Sequence, residues 1–158
     1  MKIPYMAVPR PKAIPSLGGQ RVRYRPITAI RLIGPTSGLI RDGLLDTGAD
    51  DTVFPEETAR LLGIDLDQAE ERQIVLAARV TPIRCRYAPV QIHLTDGRDE
   101  TYEWTAVVAF VSARLHYNLL GHAGFLQYFG AFFDGEARQV TLTPRPSFPG
   151  HRAPSTNY

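Results

Sequence analysis

The chain has one cysteine, Cys85, among 158 residues. No internal disulfide can therefore staple the fold, and Cys85 reads as a small buried hydrophobe in a reducing compartment. Long apolar runs are also missing. The most apolar stretch, residues 105–111, falls far short of the roughly 20 residues that a membrane-spanning helix needs. The opening residues MKIPYMAVPRPKAIP carry a proline every few positions, where a secretory leader would be continuously apolar. The expected location is the cytoplasm, with no membrane partner. His93, His116, His122 and His151 stand at no metal-ligand spacing, so neither a metal nor another cofactor is expected. Charge of one sign is scarce as well: 18 Lys/Arg against 16 Asp/Glu leave a formal +2.

What is present is the mix of an ordinary globular domain, 44% hydrophobic and 22% charged, long enough to bury a real core. The small net charge hides an asymmetry. Residues 1–45 hold eight basic side chains and one acid, whereas residues 46–137 hold seven basic and fifteen acidic ones. Arg21, Arg23, Arg25 and Arg31 nearly alternate, which suits the solvent face of a strand. No aromatic ladder accompanies them, so no nucleic-acid partner is expected.

Residues 1–20 read as an extended Pro/Gly-rich arm, because four prolines and Gly18-Gly19 suit neither a helix nor a sheet interior. From residue 21 the pattern turns strand-like. Ile27, Ile30, Leu32 and Ile33 lead into a hairpin-like turn at 34–38, and a second strand over 39–45 runs into Asp46-Thr47-Gly48. Pro55 opens a short helix with Glu56 and Glu57 in its first turn and Gly63 past its end. Strands are expected over 73–79, 83–95 and 100–111, with Asp96-Gly97 closing a hairpin. A short helix is expected over 122–129, then strands over 131–133 and 140–143, and a disordered tail from 144 to 158. This composition of elements predicts an all-β barrel, with one domain over 21–143. Leu44-Leu45-Asp46-Thr47-Gly48 is echoed by Leu119-Leu120-Gly121-His122-Ala123: an apolar pair running into a turn of small residues.

Asp-Thr-Gly alone is a weak signal, but here it follows an apolar strand and continues as LLDTGADDTVFP over 44–55, with NLLGHAGFL over 118–126. In these motifs the sequence resembles the retropepsin-like (retroviral protease-like) aspartic proteases, including single-domain bacterial members, over about residues 21–143. The resemblance implies a closed acid-protease barrel, one lobe per chain. It also implies an aspartic endopeptidase acting on extended peptides with bulky apolar residues at the cut. Asp46 would be the catalytic carboxylate, Thr47 would hydrogen-bond across a paired site, and Gly48 would let backbone approach the substrate. Hydrolysis without a metal or covalent nucleophile needs one carboxylate as base and one carboxyl as acid, and two carboxyls in contact share one proton. Only one such motif is present, so the second aspartate has to come from another copy in a homodimer.

The same resemblance assigns Ala49 and Asp50 to the substrate backbone, and Val53, Tyr117 and Leu119 to side-chain pockets. A substrate-covering hairpin would place its tip at Ala77-Ala78-Arg79, with Ala78 and Arg79 touching substrate; it contains no glycine, unlike the family. Gly121 and His122 would brace the dimer, His122 standing where the family has an arginine paired to the acid at Asp50. The alternative is a non-catalytic dimeric peptide-binding domain that keeps the fold. A calcium loop fits poorly, because Asp51 occupies the position where such a loop needs glycine.

Overall fold

The structure, a computed structural model, describes residues 1–75, 82–96 and 100–153. Its elements are β1 (Lys2–Pro4), β2 (Met6–Pro9), a 3-10 turn at Pro15–Leu17, β3 (Val22–Arg25), β4 (Ile27–Ile33) and β5 (Gly38–Leu45). There follow β6 (Val53–Pro55), α1 (Glu56–Leu62), β7 (Glu70–Ile74), β8 (Ile83–Thr95), β9 (Thr101–Val111) and β10 (Asn118–Leu120). The chain ends with a 3-10 turn at Leu126–Tyr128, β11 (Phe129–Asp134), β12 (Gln139–Pro144) and β13 (His151–Ala153).

The fold is all-β with α1 as the α-helix among the described residues. Strands β9, β6, β10, β5, β4 and β8 hydrogen-bond in that order, and β8 pairs back onto β9, so the sheet closes into a ring. Closure leaves few free edges, the general advantage of a barrel. Along β8 the buried residues Ile83, Cys85, Ala88, Val90, Ile92 and Leu94 mostly alternate with more exposed ones, as a strand with one face on a core requires. Inside, Trp104 meets Phe125 and Phe129 edge-on, with ring centroids 5.4 and 5.7 Å apart.

The helix is held by the turn before β5. Thr36 N–H donates to Leu62 O at 3.2 Å and Ser37 Oγ to Leu61 O at 2.6 Å, satisfying carbonyls that a helix end leaves orphaned. Gly63 ends the helix at φ 73°, the left-handed conformation that favours glycine there. Pro55 caps the helix as the last residue of β6 instead of opening its first turn.

Both chain ends are more ordered than their composition suggests. Within the arm read over 1–20, β1 pairs antiparallel with β12, and Ile3 is 4% exposed within the core; β2 pairs with β3. The prolines sit where an edge permits them: Pro4 ends β1, and β1 lies at the edge of its sheet. In the tail, Phe148 packs among Tyr102, Trp104 and Phe129, and β13 pairs with β9. Residues 154–158 lie outside the described residues, as does Gly97 of the expected hairpin. The helix expected over 122–129 is only the 3-10 turn at Leu126–Tyr128.

The docking of the C-terminal segment gives a stability prediction. A Cβ on Gly150 would overlap the backbone oxygen of Glu103, whereas one on Gly135 would meet nothing within 4 Å. Gly150→Ala should cost about 1–3 kcal/mol in thermal or denaturant unfolding, and Gly135→Ala should stay within about 0.5 kcal/mol of wild type.

Candidate active site

Strand β10 is threaded between β5 and β6. Leu44 and Leu45 pair in parallel with Leu119 and Leu120, and Val53 pairs antiparallel with Leu119. The chain between β5 and β6 must therefore turn around the end of β10, and it does so on a backbone ladder. Asp46 N–H donates to Leu120 O (3.1 Å), His122 N–H to Ala49 O (2.8 Å), Ala123 N–H to Asp50 O (2.8 Å) and Thr52 N–H to Ala123 O (3.0 Å). Ala109 N–H then donates to Thr52 O (2.9 Å), which ties the loop to β9. Gly121 lies where a Cβ would overlap Asp51 O and press on Ala49 O at 2.7 Å, so the crossing needs glycine for lack of room.

The ladder presents Asp46 at the turn. Gly48 N–H donates to Asp46 Oδ1 at 3.0 Å, which fixes one carboxylate oxygen and leaves the other available. Asp46 lies in a cleft of about 380 Å³ walled by the turn, by Val53 and Leu119, and by Gln73, Ile74 and Val75 from the end of β7. A larger groove of about 640 Å³ runs beside α1 and shares no lining residue with this cleft, so size alone does not locate the chemistry.

Asp46, Gly48, Ala49, Asp50, Val53 and Leu119 come together around the cleft. Thr47 is exposed at the tip of the turn. Tyr117 lies under the Arg25 guanidinium, 5.2 Å from its ring centroid, and outside the cleft lining. His122 is exposed, and among the described residues its link to the Asp50 region is made by backbone hydrogen bonds with no side-chain ion pair. Ala78 and Arg79, with the hairpin tip at 77–79, lie outside the described residues.

Three groups emerge that the sequence did not single out. Asp51 lines the cleft, Gln73 faces it from β7, and Tyr87 on β8 donates its hydroxyl to Asp51 Oδ2 at 2.8 Å. The two partners stand 36 residues apart, and only the pairing of β8 with β7 and β9 brings the phenol to the loop. Burial pushes the Tyr87 phenol above its ordinary pKa, and the hydrogen bond and negative charge of Asp51 push it further. The phenol therefore stays protonated and donating through the neutral range.

No family model matches the chain, and no curated protein matches it. One solved structure to which it is similar is a retropepsin-like aspartic protease from Rickettsia conorii, at 19% identity and a TM-score of 0.47, over 96% of this chain and 93% of that one. With a likeness that remote, the chemistry available around Asp46 has to decide function. No helix among the described residues is long and apolar enough to cross a membrane.

The Tyr87–Asp51 bond predicts a pH response of known sign. A phenol whose folded pKa is raised adds stability that is fully present below its unfolded pKa of about 10 and fades as pH rises through the folded value. Tyr87→Phe should lower stability by about 1 kcal/mol at neutral pH, since a half-buried carboxylate oxygen loses its donor. Ultraviolet titration should find one tyrosine fewer among those ionising late in the variant than in wild type.

Proposed function

We propose that the chain is an aspartic endopeptidase in which Asp46 works against Asp46 of a second copy across a twofold axis. One observation carries this reading: Asp46 lines a cleft that also offers the aliphatic side chains of Val53, Ile74 and Leu119, with one carboxylate oxygen fixed by Gly48 N–H and the other unassigned. A lone carboxylate can take a proton from water but cannot also donate one to the carbonyl oxygen. Asp51 is already held by Tyr87, and Asp50 lines the same cleft, where the resemblance assigns it to the substrate backbone. Symmetry supplies the missing group at no cost in sequence, because a twofold axis through the turn duplicates Asp46.

The chemistry then follows. The ionised member of the dyad accepts a proton from water, whose oxygen bonds to the scissile carbonyl carbon, while the protonated member donates to the carbonyl oxygen. As the tetrahedral species collapses, a proton passes to the amide nitrogen and the C–N bond breaks. The two carboxyls titrate as a pair, with apparent values that belong to neither residue alone. In this reading exposed Thr47 meets its counterpart across the axis, and the turn amides and Asp50 bond an extended peptide backbone. Val53 and Leu119 offer aliphatic surface to its side chains.

Asp46→Asn should abolish peptide hydrolysis, by at least about a thousandfold, while leaving the unfolding curve close to that of wild type. Because the site is shared, specific activity should fall on dilution below the dimer dissociation constant, and excess Asp46→Asn chain should poison wild type by forming dead heterodimers. Undiminished cleavage by the Asn variant removes Asp46 from the chemistry, and peptide binding without cleavage by wild type favours a peptide-binding domain; activity per chain that stays flat through a measured dimer-to-monomer transition sinks the shared site.

A further inference from the structure

The basic segment near the N-terminus carries charge that the fold leaves unanswered. Pairing of β2 with β3 sets Val8 opposite Arg23, and one step further Arg10 N–H donates to Arg21 O at 2.8 Å, so two arginines stand directly opposed. Like charges placed so destabilise a sheet unless an anion answers them. Among the described residues, no ion pair is made by Arg10, Arg21, Arg23 or Arg138. Arg23 and Arg138 line one cavity of about 590 Å³, between β3, the 3-10 turn at Pro15–Leu17 and the β11–β12 hairpin. Tyr5, Ser16, Gln20 and Tyr24 add O–H and N–H donors, Leu17, Val22 and Gly135 complete the wall, and no acid lines it among the described residues. Asp134 lies within electrostatic reach of Tyr5, but its Oδ1 accepts Ala137 N–H at 2.8 Å and it pairs with neither arginine.

Arg138 is fixed in place. Its backbone takes φ 53°, its carbonyl accepts Tyr5 N–H at 2.7 Å, and its guanidinium lies 3.9 Å from the Tyr24 ring centroid. Glycine would take that φ without strain but would bring no cation to the cavity. The ribbon is also rooted beside the cleft. Pro26 O accepts Leu45 N–H at 2.9 Å, one residue before Asp46, and Arg23 precedes Pro26 by three residues, about 10 Å of extended chain. An extended peptide advances about 3.3 Å per residue, so one passing Asp46 has side chains within reach of the cavity roughly five residues away. A nucleic acid would need a free ring on which to stack its bases. The rings of Tyr24 and Tyr117 already carry Arg138 and Arg25.

Building on the peptidase reading, we infer that the cavity lined by Arg23 and Arg138 is an exosite that docks an aspartate or glutamate side chain of an acidic peptide substrate. Each guanidinium offers a planar fork of N–H donors matched to a carboxylate. The site lies apart from the reacting bond, so it lowers KM and leaves kcat unchanged.

The test uses extended peptides that differ only in carrying glutamate or glutamine at one position, scanned outward from the cut. Each is measured for cleavage by wild type and, as a fluorescent conjugate, for binding to the Asp46→Asn chain. At one position glutamate should lower KM and Kd about fivefold relative to glutamine, the scale of one or two part-exposed ion pairs, and the preference should fade at high salt. Arg23→Gln and Arg138→Gly should each bring that ratio towards one while the glutamine peptide is cut at the wild-type rate. Arg138→Gly should also keep an unfolding curve close to wild type, because relief at φ 53° offsets the lost ring contact. A ratio unchanged in both variants overturns the inference, as does a wild type indifferent to glutamate at every position. Loss of the dimer in both variants by sedimentation, with the ratio intact, assigns the cavity to a second copy and also overturns it. So does tighter binding of a mixed-sequence single-stranded oligonucleotide than of the acidic peptide. Glutamate-selective binding that is lost when Arg23→Gln is added upholds the inference even if wild type cuts neither peptide, in which case it is the peptidase reading that fails.

Discussion

Everything near the cleft depends on the insertion of three residues of β10 between β5 and β6. Alone, β5 and β6 would be joined by a loop of unpaired amides. With β10 between them, the loop's N–H and C=O groups find partners in residues 120–123, and the loop acquires one conformation. Each hydrogen bond contributes only about 1 kcal/mol net, but leaving such groups buried and unpaired would cost more than the bonds provide. The arrangement has little slack. Gly43 lies against the Leu120 side chain and Gly121 against the Asp51 carbonyl, both so closely that a Cβ could not be added without something shifting. On the proposed dyad, Asp46 would need this kind of support, since misplacement by an ångström would separate acid from base.

This part of the fold was legible in the sequence for a physical reason. The echo between residues 44–48 and 119–123 is a register: Leu44 lies beside Leu119 and Leu45 beside Leu120 in a parallel pair. Two strands buried in one ring, each entering a tight turn at the same level, face the same demand for an apolar pair followed by small residues. Similar sequences result without any need for similar chemistry, and the second copy accordingly has Gly121-His122 where the first has Asp46-Thr47. The alternation along β8 and the Gly63 helix stop were readable for comparable local reasons.

What the sequence hid lies at the ends of the chain and across long separations. Proline counts argued against strands in residues 1–20, yet a short strand at the edge of a sheet leaves one side of its backbone unpaired, and there proline does no harm. Near the C-terminus, Phe148 is placed by four aromatic rings that precede it in sequence by between 19 and 46 residues, and no local pattern encodes such a cluster. The basic segment shows a subtler gap. Its alternation does form β3, but Arg25 lies over Tyr117, and Tyr24 carries the Arg138 guanidinium 3.9 Å above its ring. Residues that read as a solvated face partly pack against aromatics of their own chain. Arg138 even adopts φ 53°, a conformation non-glycine residues seldom take, at the hairpin that meets this ribbon.

The Tyr87–Asp51 pair was invisible for the same reason, and it shows how a fold can divide labour among acids of one short motif. Asp46, Asp50 and Asp51 lie within six residues, and composition cannot rank them. Position in the ladder can. Asp46 directs its backbone N–H to Leu120 and receives Gly48 at its carboxylate; Asp50 contributes its carbonyl to Ala123; Asp51 alone reaches a side chain on another strand of the ring. The Asp46 carboxylate is held by a single amide, whereas the Asp51 carboxylate is anchored by a phenol from β8. The two carboxylates are thus held by different neighbours, so a change at Tyr87 acts on Asp51 while the turn that carries Asp46 keeps its backbone ladder.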